Sequence, residues 1–272
     1  MQRLVDYQQK HFSQSGEDGI IQRVFDVIGA SERFCCEFGA WDGLHLSNTR
    51  SLILDGWSAL LIEACPERFQ QLRRTYLSNE QVVCVNAAVG TKCNNLADIL
   101  KSTGLAKRRL DLLSIDIDGL DFDHFSALDD LDHRPRLVVV EVQPEHGPDR
   151  TELLPAKTAR RNVGQPLAAF VRRGNELGYR LVCYFGGNAF FLANDAGAQA
   201  ELPTITAAQG WADWYSAVTN KDANYLFERN VGLHGGYRFN NPKLSASALG
   251  IPKWRATKCT IKSIGRRLRS FR

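Results

Sequence analysis

From about residue 18 to residue 193 the chain alternates short, β-branched apolar runs with amphipathic helical patterns, and this alternation restricts the fold more than any other feature. The pattern predicts strands over Phe34–Phe38, Ser58–Glu63, Val82–Asn86, Asp111–Asp116 and Arg136–Val142. It predicts a helix over Asp18–Ile28 before the first of them, helices over Asn48–Asp55, Pro66–Tyr76, Leu96–Lys101 and Asp123–Leu128 between them, and a further one over Leu167–Leu177. Strands that alternate with helices are joined by crossovers, so they form a parallel sheet with helices on both faces. Leu137-Val-Val-Val-Glu-Val142 is the most apolar run and is expected at the sheet centre. Tyr179–Tyr184 and Ala189–Ala193 flank Gly186-Gly187-Asn188, a hairpin signal that places one antiparallel strand in the sheet. The segment 144–165 has no period and reads as a connection near the site.

Open α/β sheets bind ligands at the carboxyl ends of their strands. At that end of the first strand stands Glu37-Phe-Gly-Ala-Trp-Asp-Gly43, where Gly39 permits a tight turn and Gly43 a close approach of the backbone to a ligand. A dinucleotide fold wants a second glycine where this chain has Trp41, so the turn suits a ligand without phosphates. Glu63 closes the second strand, the place from which a carboxylate grips two ribose hydroxyls.

The fourth strand runs into a cluster of carboxylates, Asp116-Ile-Asp-Gly-Leu-Asp-Phe-Asp123. If the chain stays extended, Asp116 and Asp118 share a face, and Glu141 ends the neighbouring strand. Asp116, Asp118 and Glu141 could accept a proton from a hydroxyl or hold a hard cation such as Mg2+. The plainer alternative is a turn at Asp118-Gly119 with Asp121 or Asp123 capping a helix. His146, in the loop after Glu141, is a candidate base, or else a solvated surface histidine.

Seven motifs together resemble the FkbM-like methyltransferases. They are Ser13-Gln-Ser-Gly-Glu-Asp-Gly19, Glu37–Gly43, Ser47-Asn-Thr49, Gly56-Trp57, Ile62-Glu63, Ser114-Ile-Asp-Ile-Asp-Gly119 and Asn188-Ala-Phe-Phe191, spread over residues 13–193. The resemblance implies a class I, Rossmann-like seven-stranded sheet, mostly parallel with its last strand antiparallel, and S-adenosyl-L-methionine as cofactor. It implies methyl transfer to oxygen, generally on a sugar or another natural-product intermediate. Glu37, Gly39 and Gly43 are then expected to hold the methionine moiety and Glu63 the ribose, with Ala40 and Trp41 also in the cofactor site. Asn86 and Ala87 would lie near the adenine, and Asp116 beside the reacting methyl.

Composition adds the rest. Of 272 residues 44% are hydrophobic, enough for one large domain. No apolar run approaches the roughly 20 residues that span a bilayer, and Met1–Asp6 lacks the apolar stretch of a secretory leader. Seven cysteines, none in a Cys-x-x-Cys pair, read as free thiols of a cytoplasmic protein. The net charge of +4 hides an asymmetry: residues 253–272 carry eight Lys or Arg and no acid, so residues 1–252 carry −4. Ile261, Ile264, Leu268 and Phe271 recur at helical spacing in this tail, which suits an anionic membrane surface; nucleic-acid contact or a solvated tail are the alternatives. The expected organisation is a methyltransferase domain over 1–193, an aromatic-rich appendage or lid over 194–252 and the basic tail over 253–272. A binding module of the same fold without catalysis, docked on a membrane or polyanion, is the competing functional class.

Overall fold

The computed structural model describes residues 2–117, 119–142, 150–154, 164–197 and 201–219. Seven strands form one sheet: β1 (Phe34–Phe38), β2 (Ser58–Glu63), β3 (Val82–Asn86), β4 (Leu112–Ile115), β5 (Leu137–Glu141), β6 (Tyr179–Phe185) and β7 (Asn188–Ala193). Their order is β3-β2-β1-β4-β5-β7-β6. The first five are parallel, and β7 runs antiparallel to both β5 and β6. The strand order turns back between β1 and β4, which opens a crevice above their carboxyl ends.

The helices are α1 (Glu17–Ile28), α2 (Arg50–Leu54), α3 (Pro66–Thr75), α4 (Leu96–Ser102), α5 (Asp121–Ser126), α6 (Leu167–Glu176) and α7 (Ala207–Thr219). Every residue of β1 and β4 is buried, as expected of strands covered on both faces. β3, at one edge, is only half-buried. β6 forms the opposite edge yet is wholly buried, because α6 and α7 pack on it. Gly210 of α7 lies against Tyr184 of β6, Trp211 is fully buried, and Trp214 meets the Tyr184 ring edge-on at 5.5 Å. Two of the aromatic residues downstream of 194 therefore serve the main core.

At the amino ends of the strands, away from the crevice, Asp111 and Arg136 form a buried pair at 2.8 Å. Asp111 also accepts the amides of Ser31, Glu32 and Arg33, and Arg136 donates to the carbonyls of Ile28 and Gly29. Such a pair ties α1 and β1 to β4 and β5; removing one partner of a buried ion pair typically costs about 3–5 kcal/mol. The described cysteines are all unpaired. Among the described residues no helix is long and apolar enough to cross a membrane.

Candidate active site

A cleft of about 480 Å3 opens at the carboxyl ends of β1, β2, β4 and β5. Eight of the sequence-predicted residues line it: Glu37, Gly39, Ala40, Trp41, Glu63, Ala87, Asp116 and Glu141. Asp118 and His146 lie outside the described residues, as does the basic tail.

The floor is set by Gly39, at φ +68° directly beneath the carbonyl oxygen of Asp116. A Cβ at this position would overlap that oxygen, so only glycine lets the loops after β1 and β4 meet. Gly43, expected to face a ligand, instead faces Leu72 and Tyr76 of α3, and the Tyr76 hydroxyl donates to its carbonyl at 2.8 Å. Its missing side chain makes room for protein.

Glu63 is buried at the end of β2. Its Oε2 accepts the Trp41 amide at 2.9 Å and its Oε1 the Cys65 amide at 2.7 Å. Each carboxylate oxygen can accept a second hydrogen bond, so Glu63 is oriented by the backbone and retains acceptor capacity toward the cleft. Asn86, at the end of β3, donates to the carbonyls of Glu63 and Ala64 and so steadies this corner without lining the cleft.

Glu37 is buried and accepts the Ser47 hydroxyl at 2.7 Å, the Asn48 amide at 2.8 Å and the Thr49 hydroxyl at 2.6 Å. Burial pushes its carboxyl above the usual range, against the pull of those three donors. Its partners explain the Ser47-Asn-Thr49 motif: the loop that leads into α2 is fastened to β1 through this one side chain.

β4 stops at Ile115, so the strand alternation does not extend to Asp116. The loop after it is shaped by Asp121, which accepts the Ile117 and Gly119 amides at 2.9 and 2.8 Å from the first turn of α5. Asp116 and Glu141, at the ends of adjacent strands, reach the same cleft. Among the described residues no three potential metal ligands cluster.

The amino-terminal motif is part of this site. Glu17 accepts the amides of Ser15 and Gly16 and the side chain of Asn188, while Asp18 accepts the amides of His11, Phe12 and Ser13. Two acids in the first turn of α1, where they also complement the helix dipole, thereby fold residues 11–16 over the sheet. Gln14 from this segment lines the cleft. Gln14 belongs to the first sequence motif but carried no expected role, and two further lining residues, His45 and Arg68, lie outside the sequence-predicted set. Arg68 stacks on the Trp41 ring at 4.8 Å. His45 is held by Asp42, an Asp-x-x-His spacing beside the Gly39 turn that is visible in the sequence once the turn is recognised.

The residues suit S-adenosylmethionine: a glycine whose side chain would collide with Asp116, and an oriented, buried acid at the end of β2. Residues 85–181 match the family model of the methyltransferase FkbM domain. Over this stretch the chain is similar to the FkbM methyltransferase domain. The match runs from the end of β3 to the start of β6, and the Gly39 turn and Glu63 lie upstream of it. No curated protein matches the chain. Among solved structures, a TehB-like SAM-dependent methyltransferase from Corynebacterium glutamicum is 11% identical, with a TM-score of 0.39 over 64% of this chain and 86% of that one. The amino-terminal domain of EvdMO1 with SAH bound is 12% identical, with a TM-score of 0.43 over 66% of this chain and 80% of that one.

Proposed function

We propose that this FkbM-domain protein transfers a methyl group to a hydroxyl oxygen of a sugar, glycan or glycan-lipid intermediate. The observation that carries this reading is the shared cleft. Gly39 and Glu63, suited to the cofactor, face the same space as Asp116 and Glu141, two carboxylates suited to a polyhydroxyl acceptor. S-adenosylmethionine, when bound, supplies an electrophilic methyl on a sulfonium. The protein's task is therefore alignment and exclusion of water. Glu63 would accept the ribose hydroxyls, and the turn at Gly39 would seat the methionine end against the Asp116 backbone. Asp116 and Glu141 would orient acceptor hydroxyls, or hold a Mg2+ together with Asp118 that lowers the hydroxyl pKa. The basic tail would bring the enzyme to an anionic cytoplasmic surface carrying the acceptor.

The test is transfer of labelled methyl from S-adenosylmethionine to carbohydrate and glycolipid fractions, with the product identified by mass spectrometry. A methyl ether on a sugar hydroxyl is expected. Tight binding of S-adenosylhomocysteine with no labelling of any fraction would favour a noncatalytic binding module instead.

A further inference from the structure

The loop between β1 and α2 holds a carboxylate–imidazole pair whose imidazole, His45, lines the cleft. His45 Nδ1 lies 2.6 Å from Asp42 Oδ2, and Asp42 Oδ1 accepts the amides of Leu44 and His45, both at 2.9 Å. The Asp42 side chain is 14% exposed and the His45 side chain 73% exposed. The acid is thus fixed by the loop, while the ring it holds stands open to whatever enters. Among the described residues His45 is the one histidine that lines this cleft; His124 is buried behind Phe38.

The loop backbone is also unusual. Trp41 at φ +45° and Leu46 at φ +57° adopt the left-handed region, which bulky side chains avoid unless their surroundings impose it. At Trp41 the imposing contacts are the Glu63 carboxylate on its amide and Arg68 on its ring. The same contacts that build the cofactor side of the cleft therefore set the course of the segment that presents His45.

We propose that His45, oriented by Asp42, is the catalytic base that takes the proton from the acceptor hydroxyl. The inference rests on the O-methyltransferase reading above. A carboxylate on Nδ1 keeps the proton there and leaves the lone pair on Nε2 for the substrate. The acceptor oxygen bonds to the methyl carbon, the sulfur–methyl bond breaks with its electron pair kept by sulfur, and the hydroxyl proton passes to Nε2. Asp42 then faces the imidazolium that results. Imidazole is the side chain most often used as a general base. Glu37 and Glu63 are already committed to three and two donors. The charged groups that share the cleft with the ring are Arg68 from α3, Glu37 and Glu63 from β1 and β2, and Asp116 and Glu141 from β4 and β5.

Three measurements on the full chain test this. Long-range proton–nitrogen spectra, with His45 assigned by its loss in His45→Gln, should show the Nδ1–H tautomer in the neutral ring and a shift toward Nε2–H in Asp42→Asn. A dominant Nε2–H form in the unsubstituted protein overturns the proposal. Calorimetry with S-adenosylhomocysteine should give the same affinity for His45→Gln as for the parent; a tenfold loss, about 1.4 kcal/mol, would make His45 a cofactor ligand and overturn it too. In the labelling assay His45→Gln should lose about 10²-fold in turnover together with the acid limb of the pH profile. Equal labelling by parent and variant overturns the base and leaves the O-methyltransferase reading intact. No labelling of any hydroxyl compound by the parent overturns that reading, and the base with it.

Discussion

The carbonyl oxygen of Asp116 occupies the space in which a side chain at Gly39 would lie. Two loops from neighbouring strands meet there, backbone to backbone, and the cofactor side of the cleft is built on that contact. Gly39→Ala must both displace the Asp116 carbonyl and strain a residue at φ +68°. We expect a stability loss of about 1–3 kcal/mol and at least a tenfold weaker affinity for S-adenosylhomocysteine, read by thermal melts and calorimetry. Unchanged affinity would show that the meeting of the loops does not shape the cofactor site.

Glu63→Gln tests the ribose assignment. The amide keeps one carbonyl oxygen for one of the two backbone donors but loses the charge-assisted bonds to the hydroxyls. Affinity for S-adenosylhomocysteine should fall by about 1.5–3 kcal/mol. A folded variant, verified by circular dichroism, that binds as tightly as the parent would remove Glu63 from the cofactor site.

Asp116→Asn and Glu141→Gln should leave the melting temperature nearly unchanged and reduce turnover by about 10²-fold or more. The response to EDTA separates two roles. Activity lost in EDTA and restored by Mg2+ assigns the carboxylates to a cation, whereas indifference assigns them to direct contact with the acceptor. Full activity in both variants would exclude them from the mechanism.

Asp18 should make the amino-terminal segment acid-sensitive. Burial alone would raise its pKa, but the Ser13 hydroxyl and the amides of Ser13, His11 and Phe12 outweigh it and hold the carboxyl below its ordinary value. A depressed folded pKa means that the unfolded chain binds the proton first as pH falls. The stabilisation is therefore complete above the unfolded value of about 3.9 and is lost as pH drops through the folded value. Melting temperatures measured from neutral pH downward should show a shallower acid limb in Asp18→Asn than in the parent. Parallel limbs would refute the assignment.

The tail prediction rests on charge. Removing residues 253–272 takes away eight positive charges and no negative ones. Near an anionic surface each contributes about 1 kcal/mol, screened over a Debye length of about 8 Å at physiological ionic strength. Full-length protein should co-sediment with anionic vesicles, less so at high salt, and the 1–252 truncation should not, while both bind S-adenosylhomocysteine equally. Equal sedimentation of the two chains would leave the tail without a membrane role.

Periodicity was sufficient for the architecture. Apolar runs such as Phe34–Phe38 and Leu137–Val140 must be covered on both faces, and helices of matching pattern between them leave few topologies. The turn after β1 and the acid closing β2 were legible for the same reason, because both sit at strand ends that the pattern locates. Loop paths were not, since they depend on atoms arriving from distant parts of the chain. Gly43 reads as a ligand contact until Tyr76 of α3 is seen to fill its space. Asp121 reads as a helix cap, yet its carboxylate gathers the amides of the preceding loop. Asp111 reads only as the start of the fourth strand, yet it precedes β4 and pairs with Arg136 at the far end of the sheet. The Asp42-x-x-His45 spacing can be read in the sequence, but only the course of the strained loop places the ring in the cleft. Local sequence determines which segments must be buried, and hence the sheet. Which side chains meet over its edge is decided by tertiary packing, because those encounters join residues that no local rule connects.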